Sequence, residues 1–145
     1  MIKKILVAID GSEHANRALD FALDVATKYS AKVLLLTVVP PVFLPVPSLN
    51  VMKSQAVADA STELENSFRA ALSQTEERAK RLTNLTVFTR LEHGNPDEVI
   101  VETAKLGDFD IIVIGSRGLG RRDFALGSVS SRVAENATCP VLIVK

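Results

Sequence analysis

The chain has 145 residues, 47% apolar and 23% charged, and its 17 basic and 17 acidic side chains cancel to a formal charge of zero. That is the size and composition of one globular domain, 1–145, with a substantial core. Zero net charge argues against wholesale binding of nucleic acid or a membrane surface, since proteins that do so usually carry a basic excess.

The single cysteine, Cys139, excludes an internal disulfide and suits a reducing compartment. Beside Pro140, at the mouth of an apolar run, it reads as a small buried residue rather than a reactive thiol. No stretch approaches the ~20 apolar residues that span a membrane. The opening run Ile5–Ile9 is too short for a signal-peptide core and stops at Asp10, so a cytoplasmic location is expected.

In chain order, Ile5–Ile9 reads as the first strand. Ala15, Ala18, Leu19, Ala22, Val25 and Ala26 then form the inward stripe of a first helix, with Ser12 as a candidate cap. Val33–Val39 is the second strand, followed by the proline-rich run Pro40–Ser48, which is neither helix nor central strand and reads as a lid over one edge. Val57, Ala60, Leu64, Phe68, Ala71, Leu72, Ala79 and Leu82 mark a second, longer helix. Leu85–Leu91 is the third strand. Asn95-Pro96-Asp97-Glu98 starts a third helix, with Asn95 able to cap, and Gly107 is its expected stop. Ile111–Ile114 is the fourth strand, 128–136 the fourth helix and Val141–Val144 the last strand.

Continuous rather than alternating hydrophobicity predicts strands buried on both faces. The alternation βαβαβαβαβ predicts an α/β fold: an open, five-stranded parallel sheet with right-handed crossovers and helices on both faces. Ligands of such sheets bind beyond the carboxyl ends of strands, where strand order reverses. Two orders are common, 2-1-3-4-5 and 3-2-1-4-5. Polar, flexible chemistry follows the first strand (Asp10-Gly11-Ser12) and the fourth (Gly115-Ser116-Arg117-Gly118), which favours 3-2-1-4-5.

The stretch from Gly115 to Gly127, leading into Ser128-Val129-Ser130, is a glycine- and serine-rich bend between a buried strand and a helix start. Glycines let backbone N–H groups approach a ligand, and a helix N-terminus adds unpaired N–H groups and about half a positive charge, so the bend suits a phosphate. Ser128 and Ser130 read as phosphate donors or as helix-start residues. Arg117, Arg121 and Arg122 read as cations closing over the anion or as solvated loop charges. Asp10 reads as a partner for a ribose hydroxyl or, through water, a metal; alternatively it is a helix N-terminal acid. His14 and His93 have no partner at metal-ligand spacing and are expected to be exposed.

Absent patterns narrow the class. There is no G-x-x-x-x-G-K-[ST], no G-x-G-x-x-G after the first strand and no G-x-S-x-G.

Ile5–Glu13, Gly115–Gly118 with Gly127–Ser130, and Cys139–Val144 together resemble the universal stress protein family over essentially the whole chain, the glycine motif resembling its ATP-binding branch. That branch typically places nine residues between its second and third motif glycines; here Leu119–Leu126 supplies eight. The resemblance implies that Ala8 and Val38 line an adenine pocket next to Ile9, that Ile114 closes it and that Asp10 engages the ribose near Gly115. It implies that Gly118, Gly127, Ser128, Val129 and Ser130 wrap the phosphates, with Ser116 and Arg117 in the same motif. ATP (or AMP or ADP), a Mg2+ or Mn2+ ion on the phosphates, and a homodimer through strand 141–145 are implied likewise. A regulatory or protective module with little turnover is the expected function. A slow ATPase or phosphotransferase, and a dimer acting without nucleotide, remain as alternatives.

Overall fold

In the computed structural model, residues 1–42, 51–117 and 127–145 are described, with backbone only for 51–54. The expected lid segment, Pro40–Ser48, lies outside these residues from position 43 onward.

Five strands and four helices alternate: β1 (Lys4–Ala8), α1 (Glu13–Tyr29), β2 (Lys32–Val39), α2 (Val51–Leu82), β3 (Val87–His93), α3 (Pro96–Leu106), β4 (Ile111–Gly115), α4 (Ser128–Asn136) and β5 (Val141–Val144). The sheet order is β3-β2-β1-β4-β5 and every pairing is parallel. The order and class are those predicted from the sequence.

Alternate residues of the central strands face opposite layers, as the pleat demands. Ile5, Val7, Val33, Leu35 and Val113 face α1 and α2, with Leu19, Ala22, Ala26, Leu72 and Ala79. Leu6, Leu34, Leu36, Ile112 and Ile114 face α3 and α4, with Ile100, Ala104 and Val133. Small residues on α1 let that helix lie close to the sheet.

Three expectations need correction. The third strand is displaced two residues toward the C-terminus and is not buried on both faces: Thr89, Arg90 and His93 are exposed. It sits at the sheet edge, where its register is set by β2, from Val33 with Val87 to Val39 with His93. α2 begins at Val51, well before its first apolar stripe residue, and its last stripe residue, Leu82, is 58% exposed. Asn95 is the N-cap of α3 but its side chain makes no capping bond. Gly107 ends α3 as expected, with φ −89°, and a Cβ there would lie 2.5 Å from the Phe109 ring. Asp108 beside it takes a left-handed φ of 50°.

Candidate functional site

β1 and β4 are neighbours, and the helices that follow them leave to opposite faces of the sheet. That divergence opens a crevice beyond their carboxyl ends. A cavity of about 290 Å³ lies there. Leu36 and Val38 of β2, Ile114 of β4, Pro96 and Ile100 of α3 and Val129 of α4 supply its apolar lining. Asp10, Gly115, Arg117, Gly127, Ser128 and Ser130 supply the polar share, and Ala8 and Ile9 complete the β1 side. Eleven of the sequence-predicted residues are thus brought together on one cavity.

The turn after β1 is organised by short-range bonds. An Asp10 carboxylate oxygen accepts from the Ser12 backbone N–H at 2.9 Å, and Ser12 Oγ in turn accepts from the Ala15 N–H at 3.2 Å, capping α1. Asp10 therefore helps to shape the turn while facing the cavity. Gly11 takes φ +86°, which a side chain rarely adopts. β1 pairing also runs one residue past the strand, since the Ile9 N–H donates to the Leu36 carbonyl at 2.8 Å.

At the end of β4 the glycine has a packing reason. A Cβ on Gly115 would lie 2.7 Å from His14 Cβ and 2.8 Å from the His14 carbonyl carbon, so α1 can rest on β4 only if nothing projects there. Ser116, expected among the ligand residues, instead turns away from the cavity and is 4% exposed. Its N–H donates to the Val144 carbonyl at 2.7 Å, and its carbonyl accepts from the Gly127 N–H at 2.6 Å and the Ser130 hydroxyl at 2.8 Å. Its hydroxyl meets His14 Nδ1 at 3.2 Å, so His14 is half-buried and partnered rather than an exposed residue. His93 is exposed as expected and bonds Glu65 at 2.5 Å.

These bonds also revise how the α4 end could hold an anion. The Gly127 amide is already engaged, and the Ser130 hydroxyl is shared between the Ser116 and Gly127 carbonyls. Neither is left to a phosphate. The amides of Ser128, Val129 and Ser130 are different: as the first turn of α4 they have no acceptor within the helix, the first intrahelical bond running from the Ser131 N–H to the Gly127 carbonyl at 3.0 Å. Gly118, Arg121 and Arg122 lie outside the described residues.

Charge at the cavity is sparse: Asp10 and Arg117 are the ionisable side chains on its described lining. Among the described residues no three His, Cys, Asp or Glu side chains gather as a metal-ligand set. Cys139 packs beside α4 and β5, away from the cavity, and burial pushes its thiol up, toward the unreactive neutral form. Pro40, Ala15 and Phe68 also line the cavity, and the sequence had not singled them out. Phe68 lay on a helical stripe that reads as core, so periodicity concealed it.

An open parallel α/β sheet with a crevice between its first and fourth strands defines a Rossmann-like domain of the UspA type. A model of the Universal stress protein family matches residues 1–145, and the chain belongs to that family. Universal stress protein YxiE of Bacillus subtilis is 33% identical over 149 residues, covering 100% of both chains. The solved structure of universal stress protein UspA from Lactobacillus plantarum superposes with a TM-score of 0.75 at 25% identity, over 99% of this chain and 98% of that one. A universal stress protein solved in complex with cAMP gives a TM-score of 0.74 at 29% identity, covering 99% of this chain and 97% of the other. Among the described residues no helix is long and apolar enough to cross a membrane.

Proposed function

We propose that this protein binds an adenine nucleotide, with ATP as the reference ligand, in the crevice between β1 and β4, and acts in the stress response as a nucleotide-dependent regulatory or protective homodimer in the cytoplasm. The observation that carries the reading is the first turn of α4: three amides without helical acceptors border a cavity whose remaining lining is largely apolar. The apolar residues from β2, α3 and β4 suit a base; the α4 amides suit phosphate oxygens. Asp10, with one carboxylate oxygen on Ser12, has the other for a ribose hydroxyl. The family relative that holds cAMP supports the same ligand class.

No ligand set of protein side chains among the described residues suits a resident metal ion. A Mg2+ or Mn2+ ion would therefore take its ligands chiefly from the phosphates, with Asp10 reachable through water. Low turnover is the expected consequence of the described lining: among the described residues Arg117 and Asp10 are its charged groups, and no described lysine or histidine lines it to stabilise a transferring phosphoryl group or take a proton. For the dimer, β5 is an edge strand whose Val141, Leu142 and Ile143 remain partly exposed in one chain, and an apolar edge of this kind is normally covered.

Isothermal titration of the purified protein with MgATP and with AMP tests the reading directly, beside light scattering for the dimer. Saturable heat with one nucleotide per chain is expected. An absence of measurable heat with either ligand removes the nucleotide and leaves a stress-family module acting by protein contact.

A further inference from the structure

α2 spans 32 residues, Val51–Leu82, yet the residues it buries among those described, Leu72, Thr75 and Ala79, all fall in its second half. Earlier on the same stripe Val57, Ala60, Leu64 and Phe68 are only half-buried. Among the described residues the first half of α2 is thus less deeply covered than the second, although Glu65 bonds His93 of β3. Phe68 stands at the boundary between the two. Its side chain lines the cavity, and it is the one aromatic ring to do so among the described residues.

The position of Phe68 is set by a close contact less than one helical turn further on. Ala71 Cβ lies 3.2 Å from where a Cβ on Gly11 would sit, so α2 rests directly on the turn that follows Asp10. Residues three apart share a helix face, which places Phe68 and Ala71 together over that turn. A core role for Phe68 would leave its ring buried, as Leu72 is at 7% exposure; half-buried at a cavity rim, the ring keeps apolar area in contact with water.

We propose that Phe68 is a ligand-contacting residue, its ring covering the base or sugar of the bound nucleotide, and that through it the loosely held first half of α2 responds to occupancy. This rests on the nucleotide reading above and adds to it a residue and an element. A base or sugar face laid against the ring removes apolar surface from water and adds the favourable geometry of stacked π systems. Segments with few buried contacts open at low free-energy cost, so a new contact at Phe68 slows opening of the residues before it.

The test pairs titration calorimetry with hydrogen exchange on the parent protein, Phe68→Leu and Phe68→Ala, using MgATP and AMP. The parent is expected to bind, Phe68→Leu to bind a few-fold more weakly, and Phe68→Ala to bind about tenfold more weakly, as loss of one aromatic contact implies. At saturating nucleotide, amides in residues 55–68 should gain protection in the parent and far less in Phe68→Ala. Melting curves of the free variants verify that both are folded, and Phe68→Leu carries the comparison should the alanine variant be too weak. Parent-like affinity and parent-like protection in Phe68→Ala overturn the proposal while leaving the nucleotide reading in place. No binding by the parent overturns both.

Discussion

The hydroxyl of Ser130 donates to the carbonyl oxygen of Ser116 across 2.8 Å, joining two residues 14 apart in sequence. Ser116 closes β4 and Ser130 lies in the first turn of α4, so this bond holds the helix start against the end of the strand it follows. The Gly127 N–H reaches the same carbonyl at 2.6 Å. The N-terminal end of α4 is therefore clamped by its own polar groups, and what it can present to the cavity is the set of first-turn amides without helical acceptors.

Ser130→Ala should cost about 1 kcal/mol, the usual net worth of one buried hydrogen bond, because the Ser116 carbonyl keeps its Gly127 partner. Urea unfolding measures it. Nucleotide affinity should fall only slightly, since the amide of residue 130 is retained; a large loss of affinity with unchanged stability would mean that the hydroxyl itself holds phosphate.

Gly127→Val tests the clamp from the other side. A Cβ at Gly127 would sit 3.2 Å from the Ser116 carbonyl oxygen and 3.4 Å from Arg117 Cα, and its φ of −62° is accessible to any residue. The branched side chain needs no unusual φ, but its 3.2 Å approach to the Ser116 carbonyl presses on the clamp that holds the α4 amides in place. Calorimetry should show no MgATP binding, with the far-ultraviolet circular dichroism of a folded protein.

Gly115→Ala should act on stability instead. Its Cβ would collide with backbone as well as side chain of His14, and the Ala15 nitrogen is 3.0 Å away, so α1 must shift off β4. Overpacking of this kind costs about 1–3 kcal/mol. A thermal melt should fall by several degrees before any ligand is added.

Asp10→Ala removes the acceptor for the Ser12 N–H and the carboxylate in the cavity together. A hydrogen bond to a charged partner is worth about 1.5–3 kcal/mol, so MgATP affinity should drop roughly tenfold or more. Competition between ATP and its 2′,3′-dideoxy analogue is informative here: the parent should prefer ATP, and the variant should lose that preference.

Asp110 supplies a pH-dependent prediction. Its carboxylate accepts from the Lys3 and Lys4 backbone N–H groups at 2.7 and 2.9 Å, and these two bonds hold its pKa below the usual carboxylate range. Because folding lowers this pKa, the unfolded chain takes up the proton first as the pH drops. The stabilisation is complete above the ordinary aspartate value of about 4 and disappears as the pH falls through the lower folded value. Asp110→Ala should therefore destabilise at pH 7, and the gap to the parent should shrink steadily below about pH 4. A gap that stays constant down to pH 2 would contradict the role of these bonds.

The strand order could be read because two local features, Asp10-Gly11-Ser12 after one apolar run and the glycine-rich bend after another, marked which strands border the crevice. The adjacent pairing of β1 with β4 bears this out. Strand β3 was misplaced because Leu85 and Val87 are apolar while Thr89, Arg90 and Glu92 are not, so hydrophobicity drew the boundary too early; hydrogen bonding to β2 decided it. At the cavity, apolar lining residues such as Val38 and Ile114 were implied by the family resemblance, and both line it. The turning of Ser116 away from it was not legible, since the side on which a serine hydroxyl falls depends on His14, which is distant in sequence. Nor was Phe68, whose spacing on α2 is that of a core residue.

Periodicity and turn chemistry alone determined the class of fold and the order of elements, because each depends on patterns among near neighbours in the chain. Which polar groups remain available at the cavity was decided by tertiary structure. The Ser116 carbonyl, the Gly127 amide and the Ser130 hydroxyl satisfy one another only once β4 and α4 meet, and a donor already spent within the fold is lost to any ligand.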